Sequence, residues 1–129
     1  MERQKKVVDA SVAAKWFLNE EDTKRALLIR DAHIKEETLI IVPDLLFLEV
    51  LNALRYKNSD KELLEKVNKI LWDIQLHIER TNEFILEKAV QISIDYNLTI
   101  YDALYAAIAQ MLAVRLLQLM KSSKNFLRL

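Results

Sequence analysis

The chain has no glycine and no cysteine, a single proline (Pro43) and two histidines (His33 and His77) in 129 residues. Ordinary usage would supply roughly nine glycines and about six prolines. Without glycine there is no Walker loop, no dinucleotide-binding GxGxxG and no GxSxG nucleophile elbow, because each needs glycine backbone where the chain turns tightly or meets a ligand. Without cysteine there are no disulfide frameworks, thiolate zinc sites or thiol nucleophiles, which fits a reducing compartment. Two histidines are too few for an HExxH site or a three-histidine zinc site. Lys plus Arg equals Asp plus Glu at 19 each, so no net basic charge advertises nucleic acid. No apolar run approaches the ~18 charge-free residues of a membrane span. Residues Met1 to Lys6 run into a short apolar stretch with no hydrophobic signal core, which argues against export. The expectation is one cytoplasmic globular domain over residues 1–129, with 52% apolar residues to build its core.

What is present alternates between strand and helix signals, with no linker, repeat or low-complexity tract. Val7-Val8 reads as a buried strand end, and Ser11 can cap a helix running through Lys15-Trp16-Phe17-Leu18. A second helix is expected from Glu20 to about Ile34. Thr38 to Val42 is an apolar, β-branched run suited to a buried parallel strand, with Pro43 placed to open the next helix. That helix carries Leu45 to Arg55, and Ser59 or Asp60 caps another from Lys61 to about Asp73. Leu76 to Glu79 is a weak third strand, and Thr81 or Asn82 starts a further helix. Tyr101 to Ala109 is alanine-rich and apolar, hence a buried helix. This alternation predicts an α/β domain whose parallel sheet is covered on both faces.

Three acids stand in apolar surroundings. Asp9 follows Val7-Val8 at a strand end, where ligands gather in parallel sheets. Glu49 lies among Leu45, Leu46, Phe47, Leu48, Val50 and Leu51, and Asp102 between Ile100-Tyr101 and Ala103-Leu104. Carboxylates rarely bury unless paired or bound to metal. Separate salt bridges or helix caps would also account for them, most readily for Asp102 near a helix start. If they converge, two carboxylates ~4 Å apart repel by about 4 kcal/mol at an effective dielectric near 20. Such a cluster holds protons or a cation. Oxygen-only ligands select Mg²⁺ or Mn²⁺, which can activate a water for attack on a phosphodiester. Elsewhere, Trp16, Phe17, Tyr101 and Tyr105 read as core or dimer contacts, His33 as surface and His77 as a partly buried strand residue.

At these residues the sequence resembles the PIN domain, in particular the VapC-type toxin ribonucleases. The motifs are Val7-Val8-Asp9-Ala10-Ser11-Val12, then Val42-Pro43-Asp44-Leu45-Leu46 leading to Glu49-Val50-Leu51-Asn52, then Leu98-Thr99-Ile100-Tyr101-Asp102-Ala103-Leu104-Tyr105-Ala106. The resemblance implies a three-layer α/β/α fold around a central parallel sheet of four or so short strands. It implies Asp9, Glu49 and Asp102 as catalytic and metal-site acids holding Mg²⁺ or Mn²⁺, with Ser11 supporting the first acid. It further implies endonucleolytic cleavage of RNA by metal-activated water, homodimerisation and neutralisation by an antitoxin protein. Arg55 and Lys57 could then meet an RNA phosphate, although solvated charge is the simpler expectation.

Residues 110–129 depart from the family pattern. Similar proteins continue with a glycine and then Thr-Ala-Asp-Glu-Lys-Phe, whose Asp is a fourth acid; Met120 stands at that position here. Codons ACA GCT GAT, read one base later with a following G, give CAG CTG ATG, which encode Gln-Leu-Met, as at Gln118-Leu119-Met120. A frameshift is therefore one origin of this tail, and ordinary divergence of a C-terminal strand is the other. The gene sequence separates them. With three acids the site is expected to be weakened, so two function classes stand: a metal-dependent endoribonuclease toxin, or a catalytically impaired PIN-like module that binds RNA or an antitoxin.

Overall fold

The structure is a computed structural model that describes residues 3–113 and, for their backbone, 115–117. The fourth-acid position and the Gln118-Leu119-Met120 reading lie outside the described residues. The elements in chain order are β1 (Gln4–Val8), α1 (Ala10–Ala14), a 3₁₀ turn (Lys15–Phe17), α2 (Thr23–Ile34), β2 (Thr38–Pro43), α3 (Leu45–Lys57), α4 (Lys61–Asp73), β3 (His77–Glu79), α5 (Glu83–Tyr96), α6 (Ile100–Leu112) and β4 (Arg115–Leu117). The strands form one sheet in the order β3-β2-β1-β4. All three pairings are parallel, with Val7 opposite Ile41 on one side and Leu116 on the other, and Val42 opposite Ile78.

Right-handed crossovers place the helices that step from β1 to β2 to β3 on one face, and α5–α6, which return to β4, on the other. The packing agrees: α1 meets α3 and α3 meets α4, whereas α6 lies across β1, β2 and β4 with α5 beside it. This is the expected three-layer α/β/α arrangement. Helix α6 can lie close because Ala103, Ala106, Ala107 and Ala109 are fully buried with Leu104, Tyr105 and Ile108 between them. A helix apolar over most of its circumference belongs in the interior. The sheet adds Val7, Val8, Ile40, Ile41 and Val42 to the core, alternate residues along each strand facing opposite helix layers.

Helix starts follow side-chain chemistry. Asp60 accepts from the Glu62 and Leu63 amides, Asn82 from Ile85, and Thr99 from Asp102, so each occupies orphan donors of a first turn. Three local expectations are corrected. Ser11 is not the cap of α1: it lies inside the helix, and Asp9 caps it by accepting from the Val12 amide. Pro43 is the last residue of β2, opposite Glu79, instead of the first residue of a helix. Helix α2 begins at Thr23, after a turn in which Asp22 is left-handed (φ 69°).

The two histidines exchange their expected places. His33 is buried: its Nδ1 accepts from the Ile40 amide at 3.0 Å, and its Nε2 lies 3.2 Å from the carbonyls of both Ile74 and Gln75. Strand β3 begins opposite Ile41, so Ile40 has no strand neighbour on that side and the imidazole takes its amide. His77 is instead exposed, 3.6 Å from Glu79. Lys57 is held by Glu20, which also binds Lys15 at 2.6 Å, tying the 3₁₀ turn to the end of α3.

Candidate functional site

In the order β3-β2-β1-β4 the chain leaves β1 toward β2 and returns to β1's other edge as β4. A crevice opens at the carboxyl ends of strands at such a switch point. Asp9 is the first residue beyond β1 and therefore stands at it. The Asp9 Oδ1 accepts from Ser11 Oγ at 2.7 Å and from the Val12 amide at 3.1 Å. These bonds orient the carboxylate and lend it the N-terminus of α1, and Ser11 thus acts on the acid it was expected to support.

Glu49 comes from the second turn of α3, which starts directly after β2. It is half-buried, and its Oε1 accepts a 2.5 Å hydrogen bond from the Tyr105 hydroxyl on α6. Burial raises its carboxyl above the ordinary 4.5, the Tyr105 bond works against that rise, and the negative charge of Asp102 adds to it. Asp102 sits on the first turn of α6, its amide bonded to Thr99 Oγ1 at 3.0 Å. It is exposed, not buried as its apolar neighbours suggested, because one helix turn presents Ala103 and Asp102 to opposite environments.

The three acids share one neighbour. Tyr105 is 2% exposed, and its hydroxyl is driven strongly toward the protonated form. Burial is the largest cause, followed by the bond to Glu49 and then by the charges of Glu49, Asp9 and Asp102. A single phenol therefore lies in the field of acids from the β1 end, α3 and α6. Among the described residues no Lys or Arg forms an ion pair with Glu49 or Asp102. The acids are nevertheless not packed as a direct cage: among the described residues, no group of three or more His, Asp or Glu side chains is arranged to hold a metal ion.

The donor chemistry fits a hard cation, since every candidate ligand is a carboxylate, and burial together with the charge of Asp102 disfavours the ionised form of Glu49. Magnesium keeps several of its waters, so carboxylates spaced too widely for a direct cage still suit it. Tyr105 is the residue that sequence reasoning missed in this role, reading it as core or dimer contact. Its spacing of three from Asp102 on one helix was the available signal.

An apolar groove of about 560 Å³ runs between α3, α4 and α6, with Leu48, Trp72, Ile100 and Tyr101 on its walls. Trp72 stacks on Phe47 with ring centroids 4.1 Å apart. Tyr101 is exposed, whereas Trp16 is buried and donates from its indole to the Ala26 carbonyl at 2.9 Å.

The family model for the PIN domain matches residues 6–119. The chain belongs to the PIN domain family. Its fold is also that of solved structures. A toxin–antitoxin complex from Klebsiella pneumoniae superposes with a TM-score of 0.61 at 19% identity, over 85% of this chain and 82% of that one. A protein of Pyrobaculum aerophilum does so with a TM-score of 0.59 at 24% identity, over 92% of this chain and 81% of that one. No curated protein matches the sequence. No helix among the described residues is long and apolar enough to cross a membrane.

Proposed function

We propose that this PIN-domain protein is a metal-dependent endoribonuclease, acting as the toxin of a type II toxin–antitoxin pair. PIN domains are generally nucleases, and the observation that carries the finer reading is the field at Tyr105, to which Asp9, Glu49 and Asp102 all contribute from different elements. In this reading those three acids hold Mg²⁺ or Mn²⁺, directly or through its waters. When bound, the ion lowers the pKa of a water for attack on phosphorus and offsets charge on the phosphodiester. The protein's own part is positional. Ser11 and the Val12 amide fix Asp9, Thr99 fixes the turn that carries Asp102, and Tyr105 holds Glu49.

Like the Klebsiella pneumoniae neighbour, the chain would meet an antitoxin protein, and the groove between α3, α4 and α6 is an apolar surface consistent with a protein partner or a homodimer. We further read residues 1–129 as one cytoplasmic PIN-like domain. The absence of a direct three-acid cage among the described residues favours a second reading, a PIN-like module that binds RNA or an antitoxin with little catalysis.

RNA cleavage measured with Mn²⁺ decides between them. Parent protein should cleave and lose cleavage in EDTA, and Asp9→Asn should reduce the rate by at least 100-fold, on the order of one essential metal ligand. Equal cleavage by parent and Asp9→Asn would remove these acids from the reaction. Binding of RNA without cleavage by either would establish the second reading.

A further inference from the structure

A buried tyrosine usually spends its hydroxyl on a carbonyl or water. Tyr105 spends it on a carboxylate from another helix, 56 residues away, at 2.5 Å. We propose that Tyr105 is a positioning residue, its hydroxyl clamping Oε1 of Glu49 so that this carboxylate is presented to the centre shared with Asp9 and Asp102.

The inference rests on the metal-site reading and concerns how Glu49 is kept in place within it. A glutamate has three side-chain torsions, and Glu49 is only half-buried. Left alone it would swing out to water, where the carboxylate regains solvation and rotamer freedom. Tyr105 opposes this with a rigid lever. Its ring has two torsions and is locked among the buried residues of α6, so the hydroxyl's place is set by core packing. The bond engages Oε1, leaving Oε2 as the oxygen to be offered. A lysine or arginine could hold Glu49 as firmly, but would put a positive charge where a cation must bind. The phenol donates a strong, charge-assisted hydrogen bond while remaining neutral.

Tyr105→Phe deletes only the hydroxyl. Mn²⁺ affinity of the intact chain, measured by electron paramagnetic resonance of the free ion, should fall by about 10–100-fold, as when a group orienting a ligand is lost. Ile108→Val, a core change one turn further along α6, controls for general loosening, and thermal midpoints of all variants in EDTA report folding without the ion. The expected result is a Mn²⁺ loss in Tyr105→Phe well beyond that in Ile108→Val at a comparable midpoint. Parent-like affinity in Tyr105→Phe, or a loss no larger than in Ile108→Val, overturns the proposal while leaving the metal site standing. Absence of Mn²⁺ binding by the parent chain overturns the metal-site reading itself, and the clamp with it.

Discussion

Replacing His33 by leucine should cost more stability than its single ring suggests. The imidazole joins three parts of the fold: it stands on α2, takes the Ile40 amide of β2, and reaches the carbonyls of Ile74 and Gln75 just after α4. Because Nδ1 accepts, the ring's hydrogen lies on Nε2, shared between those two carbonyls. Leucine fills similar volume but offers neither function. An Ile40 amide left without an acceptor costs about 1–3 kcal/mol, and loss of the Nε2 donor about 0.5–1.5 kcal/mol more. The sum of roughly 1.5–4.5 kcal/mol is a large part of a typical total of about 5–15 kcal/mol. For a domain of this size it should lower the thermal midpoint by on the order of 10 °C. Urea unfolding followed by circular dichroism measures it, with His77→Leu as the exposed counterpart, expected within about 0.5 kcal/mol of the parent. A His33→Leu protein within about 0.5 kcal/mol of the parent would refute the account of the imidazole as a buried three-way tie.

Glu49→Gln should stabilise the protein at pH 7. Burial and the Asp102 charge hold the Glu49 carboxyl above 4.5, so the native state binds this proton more tightly and stability declines as pH rises from about 4.5 through the raised value. Urea midpoints at pH 4 and pH 7 test it, since a gain of equal size at both would remove the titration from the explanation. Glu20→Gln should have the opposite sign at neutral pH. Lys15 and Lys57 hold the Glu20 carboxyl down at about 2, so its contribution is present above 4.5 and is lost as pH falls toward 2. The pairs are at the surface, so 1 M NaCl should largely erase the difference between parent and variant; a deficit that survives salt would point to packing instead.

Much of the frame was legible in the residues. The β-branched runs ending at Val8 and Val42 marked the two central strands, Asp60 and Asn82 stood where helices start, and the alanine-rich stretch after Thr99 marked the helix that covers the sheet. Asp9 stood out as a carboxylate at the end of an apolar strand, a place where it also serves as the N-cap of α1. What local patterns could not supply was distance between elements. Nothing in the sequence states that Tyr105 reaches Glu49, since the contact depends on how α3 and α6 both settle against the same core. His33 was misplaced for a related reason. Helix α2 fully buries only Ala26 and His33, residues seven apart on one narrow face, so its neighbours hide it. Pro43 was misplaced because its missing amide suits a helix start, yet it is equally harmless as the final residue of β2.

The absence of glycine shows its structural consequence at the helix ends. Glu36, Gln75, Asn97 and Ala113 follow or close α2, α4, α5 and α6 in left-handed conformation, with φ of 64°, 59°, 54° and 52°. After α2, Glu37 bonds back to Ala32 and Glu36 to His33; after α5, Leu98 bonds back to Ser93. These are the closures in which glycine ordinarily sits. Asn97 tolerates the geometry, whereas the other three carry a Cβ penalty that glycine would not. The chain thus holds an unclaimed reserve. Glycine at Glu36, Gln75 or Ala113 would relieve about 0.5–1 kcal/mol at each position after its own entropic cost, at sites remote from one another along the chain. For anyone seeking a more robust form of this protein, the residue it lacks is the first one to add.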